Sequence, residues 1–273
     1  MASASVSLSS RLDVVVKLVE AKVTSFTSLR KITSQTRKQF TTDIALIGLG
    51  LRTGYLVDVV APTNPVQVFG QLISSLRLTC PEFGAVAHVY EPASDQSFIV
   101  NIPLLCRRTQ EDQSYTDGIS FVLLGKDVLF SLRSGPPPEL TDALLSLVED
   151  ATTQPSLPPS ISISSSLPRE TAVPLAAVLL EYPVAYVPTS LEHPFLSNVP
   201  LDIYECVVTF DRDSAHTLLK FSCPSDLAQR YPVVLSPLHI IASVIKKFTP
   251  RIRDTTISLQ VHHSTKTLDR VAL

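Results

Sequence analysis

Two short stretches carry residue types able to hold a ligand. Asp58 closes the apolar run Tyr55–Val57 and is followed by Thr63 and Asn64. Ser164, Ser165 and Ser166 follow an alternating Ser/Ile segment and lead into Arg169 and Glu170. In open α/β sheets, ligands bind at the carboxyl ends of strands, where loops enter helices. A carboxylate, several hydroxyls and a guanidinium gathered there would suit a small anionic or polyhydroxy ligand. The candidate ligand-binding set is therefore Asp58, Asn64, Ser164, Ser165, Ser166 and Arg169. The competing explanation is structural: Asn64 and the serines cap helices, and Asp58 bonds a neighbouring loop.

Other chemistry is missing its signatures. The chain has no G-x-x-x-x-G-K-S/T loop, no H-E-x-x-H pair and no G-x-S-x-G elbow. Gly48, Gly50 and Gly54 do not have dinucleotide-loop spacing and read as a turn. The six histidines are scattered, and neighbours His262 and His263 on a strand would point to opposite faces. Cys206 and Cys223 fall on neighbouring predicted strands and read as buried thiols. Lys246, Lys247, Arg251 and Arg253 follow a helix stripe, where cations suit the helix C-terminus. No catalytic residue, metal ligand or cofactor is assigned.

The elements that would position these residues follow from periodicity. Leu8, Leu12, Val15, Val16, Val19 and Val23 form one helical stripe, with Ser10 and Asp13 as its capping pair. Ser25–Thr42 is a polar, basic connection, and Ile44–Leu51 reads as a strand. Tyr55–Val60 then Asn64–Pro65 predict a strand, a cap and a helix over Pro65–Leu78. Strands are predicted at Gly84–Tyr90, Ser97–Ile102, Gly118–Leu124 and Ser160–Ser164. Helices are predicted at Glu139–Asp150 and Pro168–Leu180, with Pro174 tolerated only in the first turn. Pro183–Val187, Leu201–Phe210 and Thr217–Cys223 read as strands, Pro237–Phe248 as a helix, and Ile257–His262 as a half-buried strand.

This order predicts an α/β fold, a layered α/β/α-type domain with a mixed sheet. The first half should be rich in parallel pairs and the second antiparallel. A single domain over residues 1–273 is expected, with residues 1–42 an N-terminal helical extension. The polar loops Thr109–Asp117, Ala151–Pro159 and Pro188–Asn198 would offer contact surfaces.

Composition narrows the function classes. Hydrophobic residues make up 45% of the 273, enough for a substantial core. A net charge of −2 argues against nucleic-acid binding by a positive field. The longest apolar run, Ala172–Leu180, is broken by Pro174 and too short for a bilayer span of about 20 residues. Four cysteines without C-x-x-C spacing argue for a reduced compartment, cytoplasmic or nuclear. Mitochondrial targeting is the alternative, since the Ser/Thr-rich start holds Arg11, Arg30 and Lys31, but Asp13 and Glu20 break the acid-poor pattern.

One stretch carries a family resemblance. It comprises Leu179, Leu180, Tyr182, Pro183, Val184 and Tyr186, then Leu196, Pro200 and Leu201, then Phe221, Ser222, Pro224 and Ser225. Asp58 after Tyr55–Val57, and the final Val271-Ala272-Leu273, fit the same pattern. These residues resemble an uncharacterised protein family whose vertebrate member is the product of human chromosome 1 open reading frame 74. The resemblance implies a shared fold and no mechanism.

The protein is expected to be a non-catalytic interaction or scaffold module with a protein partner of unknown identity and open oligomeric state. The rival expectation is a small-molecule-binding α/β protein, or a cryptic enzyme, using a crevice at Asp58 and Ser164–Ser166. Leu179–Pro224 is expected to serve packing, with any function upstream of it.

Overall fold

The computed structural model describes residues 7–112, 116, 118–125, 130–163, 167–189, 195–196, 198–210, 214–252, 257–269 and 271–272. The chain begins with α1 (Leu8–Ser25), α2 (Ser34–Gly48), β1 (Gly54–Leu56), α3 (Pro65–Arg77), β2 (Val86–Glu91) and β3 (Gln96–Asn101). It continues with α4 (Ile102–Asp112), β4 (Ser120–Leu124), β5 (Phe130–Arg133), α5 (Pro138–Thr152), β6 (Ser160–Ser162), α6 (Arg169–Leu179) and β7 (Val184–Pro188). It ends with β8 (Phe195–Leu196), β9 (Val199–Phe210), β10 (Ser214–Pro224), α7 (Ser225–Arg230), α8 (Pro232–Leu235), α9 (Pro237–Phe248), β11 (Ser258–Leu268) and β12 (Val271–Ala272).

The fold is α/β with mixed sheets. A four-stranded sheet runs β1-β3-β2-β6, a second runs β5-β4-β7, and a third runs β10-β9-β11. Strands β8 and β12 form a short separate pair. Strand alternation sorts the layers of the first sheet. Ile99 and Val86 face the core under α1–α3, while Ala87, Val89, Phe98 and Val100 face α4–α6. Helix α3 supplies Phe69, Leu72, Ile73 and Leu76, all fully buried, and Asn64 caps it by accepting from the Gln67 N–H.

Three expectations need correction. The residues Ile44–Leu51 are not a strand: α2 runs to Gly48, and Ile44, Ala45, Leu46 and Ile47 are all fully buried. A helix end enclosed on every side loses its polar face and reads as a short strand. The parallel share of the first half is smaller than expected. Among the described residues its parallel pairs are β2–β6 and β4–β7, while β1–β3, β2–β3 and β4–β5 are antiparallel. The cause is local: buried Glu91 accepts from the Ala93 and Ser94 N–H groups, closing a tight hairpin between β2 and β3. Finally, Pro174 sits beyond the first turn of α6, which keeps its helical path across it.

The second half is antiparallel, as expected. Strand β9 pairs along its length with β10 on one side and β11 on the other. Helix α1 packs on the main core through Val15, Val19 and Val23. The connector after α5 is held by Arg77, which donates to the Val86, Leu157 and Pro158 carbonyls. No helix among the described residues is long and apolar enough to cross a membrane.

His88 sits mid-strand on β2, fully buried, with its ring 5.2 Å from Phe69 and Nδ1 2.8 Å from the Ser160 hydroxyl. Burial pushes its imidazole down to about 4. In the unfolded chain a histidine takes its proton near 6.5, so the unfolded state holds one more proton between about pH 6.5 and pH 4. Stability is therefore full above that window and falls as pH drops through it, by about 3 kcal/mol in total for this group. Urea unfolding at a series of pH values should show this slope, and His88→Met should flatten it by about one proton.

Candidate functional site

The two halves of the chain meet where α6 ends. The Glu181 N–H bonds the Val178 carbonyl and the Tyr182 N–H bonds the Ala177 carbonyl, the hydrogen-bond pattern of a Schellman cap. The left-handed residue of that cap is Glu181, at φ 64°, where glycine is usual. Its side chain explains the choice. The carboxylate, 1% exposed, takes two hydrogen bonds of 2.7 Å from Arg251 and one of 3.1 Å from the Thr53 N–H. The Lys247 ammonium donates to the Glu181 carbonyl at 3.4 Å. Next to Thr53, Gly54 lies so close to α6 that a Cβ would stand 2.4 Å from the Leu179 carbonyl oxygen. One residue thus ties β1, the end of α6 and the segment after α9.

A polar knot lies on the other side of β1. The Asp43 carboxylate of α2 accepts from Arg52, and His216 of β10 has Nε2 3.0 Å from the same oxygen. The Arg52 guanidinium stands 5.7 Å over the Tyr55 ring, and the Tyr55 hydroxyl donates to Asp58 at 3.4 Å. Burial, then the charges of Asp43 and Asp58, push the Tyr55 phenol well above its ordinary range, so it stays protonated as a donor. No serine, threonine or cysteine hydroxyl or thiol bonds His216 among the described residues. Among the described residues, the ring contact of His216 in the knot is with the Asp43 carboxylate. It joins α2 to the antiparallel half.

Beside this seam opens a cavity of about 390 Å³. One wall is the face of α6 at Val173, Ala176 and Leu180; the opposite wall is Leu201, Ile203 and Phe221. Tyr182 and Tyr186 line it between the two. The Tyr186 hydroxyl donates to the Ser222 carbonyl at 3.0 Å, so its polar end is already satisfied. The side chains of Tyr182, Gln96 and Lys220 complete its polar lining. The Gln96 Oε1 is buried with no hydrogen-bond partner among the described residues, and the Lys220 side chain is 61% exposed. Lys220 has a carboxylate of Glu205 at 3.8 Å, an exposed pair that holds it weakly.

A family model described as a domain of unknown function, DUF4504, matches residues 24–273. The chain belongs to this family. No curated protein and no solved structure matches it.

Of the residues singled out by sequence, Asp58 and Asn64 lie within the described part of this family member. Asp58 is exposed and follows β1; Asn64 is the α3 cap. Ser164, Ser165 and Ser166 lie outside the described residues, as does the side chain of Arg169 at the start of α6. The strands leading to the two stretches, β1 and β6, are the opposite edges of the first sheet, with β3 and β2 between them. That is about 14 Å at ordinary strand spacing.

The thiols follow expectation: Cys206 and Cys223 are buried and free, and burial pushes each up to about 12. Among the described residues no group of three or more His, Cys, Asp or Glu side chains is placed to hold a metal ion. His262 and His263 lie on β11; His263 stacks on Tyr204 and has Nε2 3.2 Å from buried Asp202. Arg251, in the basic cluster that follows α9, pairs with Glu181. Sequence reasoning missed Gln96, Tyr182, Tyr186 and Lys220. The tyrosines were on view in the family-like stretch, where their apolar neighbours made them read as packing.

Asp43 neutralises Arg52, whose side chain is only 8% exposed. Asp43→Asn should cost about 3–5 kcal/mol in urea unfolding, because it leaves a buried guanidinium without its counter-charge. His216→Gln should cost far less, about 1 kcal/mol, since it removes one hydrogen bond.

Proposed function

We propose that the protein binds an apolar small molecule carrying an anionic group, in the cavity between α6 and the β9–β10 hairpin. The observation that carries this reading is a cavity of about 390 Å³ with mainly apolar walls and an exposed ammonium, Lys220, on its lining. Small-molecule sites have this volume and this balance of apolar wall to few polar groups. An apolar body would take the Ala176–Phe221 space, and a carboxylate or sulfonate would meet Lys220. The unpartnered Gln96 Oε1 would accept from a ligand hydroxyl or N–H.

The interaction-module expectation draws its support from elsewhere on the surface. The rival reading places the ligand in a crevice at Asp58 and Ser164–Ser166; the strands that lead to those stretches, β1 and β6, have β3 and β2 between them. Kinship with the family of the human chromosome 1 open reading frame 74 product rests on the residues of Leu179–Ser225. A cytoplasmic or nuclear setting, without nucleic-acid contact, rests on the free cysteines and the net charge of −2.

The dye 8-anilinonaphthalene-1-sulfonate, apolar with one sulfonate, is a suitable probe. The folded protein should bind it with fluorescence enhancement. Ala176→Phe should fill the cavity and weaken binding by at least about tenfold with little change in thermal midpoint. Lys220→Glu should weaken it by about tenfold by replacing attraction with repulsion. Unchanged dye binding by Ala176→Phe would contradict the site.

A further inference from the structure

The charge of the chain is sorted by sign. Residues 1–42 hold seven Lys and Arg side chains against two carboxylates, Asp13 and Glu20, a net charge of +5. The whole chain carries −2, so residues 43–273 carry −7. The basic share falls on one layer, helices α1 and α2 with the turn between them. The apolar stripes of this layer are turned to the core, where Val15, Val19, Val23, Leu29, Ile32 and Phe40 are buried. Its polar side is what solvent meets.

The two helices touch where Arg37 of α2 lies 3.6 Å from Glu20 of α1. Lys17 stands one turn before Glu20, Lys38 is next to Arg37, and Lys31 ends the turn that leads into α2. All three lysines are exposed, and none has a carboxylate partner among the described residues. Two other cations of the layer are accounted for locally. Lys22 sits in the last turn of α1, and the Arg30 Nε donates to the Thr24 carbonyl, both at the helix end that favours cations. Lys31 and Lys38 have no such explanation. They flank the start of α2, whose first turn holds no acidic residue, and a helix favours anions at that end. Solubility does not account for them either, because crowded like charges repel one another.

We propose that the outer surface of α1 and α2 docks an acidic segment of another protein. The unpaired lysines select the sign of the occupant, and the rest of the surface selects its class. A lipid surface requires apolar side chains that can insert, and Val14, 58% exposed, is the one exposed large hydrophobic of the layer among the described residues. A nucleic acid would extend past the layer, where the −7 of the remaining chain repels its phosphates. The aromatic residues of the layer, Phe26 and Phe40, pack on or in the core, which leaves no ring on which a base could stack. A short acidic segment meets the cations alone. Exposed Ser34, Gln35 and Gln39 lie beside them and offer neutral hydrogen bonds to its carboxylates and backbone. The 18-residue α1 is about 27 Å long, so an extended segment of about eight residues spans it. This surface gives the interaction-module expectation a place and is independent of the cavity.

A fluorescein-labelled oligoglutamate of that length, titrated with the full chain and read by fluorescence anisotropy, tests the surface. It should bind saturably at low salt and weaken as salt rises. The double variant Lys31→Glu, Lys38→Glu reverses two exposed charges, so circular dichroism and thermal midpoint should hold while the dissociation constant rises at least about tenfold. The control pair Lys246→Glu, Lys266→Glu reverses two exposed lysines outside the layer and should leave it within about twofold. Absence of binding at millimolar peptide overturns the proposal, and so does an equal loss in both double variants. A double-stranded oligonucleotide, or vesicles of phosphatidylserine and phosphatidylcholine, binding more tightly than the peptide through Lys31 and Lys38 would overturn the protein segment as occupant.

Discussion

Glu181 holds a nearly fully buried carboxylate against the Arg251 guanidinium by two hydrogen bonds of 2.7 Å. The pair joins residues that are far apart in sequence and belong to the two halves of the chain. Taking two charges out of water is costly, and the cost is recovered only when geometry is good and the remaining lone pairs are satisfied. Here it is: the fork of the guanidinium matches the carboxylate, and the Thr53 N–H bonds the same Oε2. Even the backbone is bent to serve the pair, since a non-glycine residue at φ 64° carries about 1–2 kcal/mol of strain.

The other features of the seam follow from that placement. With Glu181 anchored, β1 is drawn against the end of α6, which is why residue 54 has no side chain to spare for a Cβ. With β1 fixed, Arg52 and Tyr55 are presented to Asp43 and, through it, to His216 on β10. Tyr182, the residue after Glu181, then turns into the space between α6 and the β9–β10 hairpin and becomes part of the cavity lining. A cavity at such a junction costs little packing, because the surfaces of a helix and a twisted hairpin do not match along their whole length.

Much of the fold was legible because its boundaries are written in local chemistry. Asn64-Pro65 and Ser236-Pro237 each supply a cap and a first-turn proline, and α3 and α9 start where those pairs put them. The alternation in β9 and β11, and the apolar Val184–Val187, gave strands for the same reason. The end of α2 was misread because total burial erases periodicity at Ile44–Ile47. Short α7 and α8 left no periodic signal to read. The site was much less legible. Its walls come from α6, β7, β9 and β10, and nothing in the sequence says that Lys220 and Gln96 share a cavity. Glu181 is the partial exception: an acidic residue directly after a helix, in a position that favours glycine, was a signal of special pairing.

The double-mutant cycle on Glu181→Gln and Arg251→Met, read as urea unfolding free energy, tests the role of the seam most directly. Each single substitution should be strongly destabilising, because it strands the other charge, and the double variant should recover part of the loss. A coupling of about 2–3 kcal/mol is expected for a buried, bidentate pair. Additive effects, with coupling within about 0.5 kcal/mol of zero, would contradict the claim that this ion pair ties the two halves together.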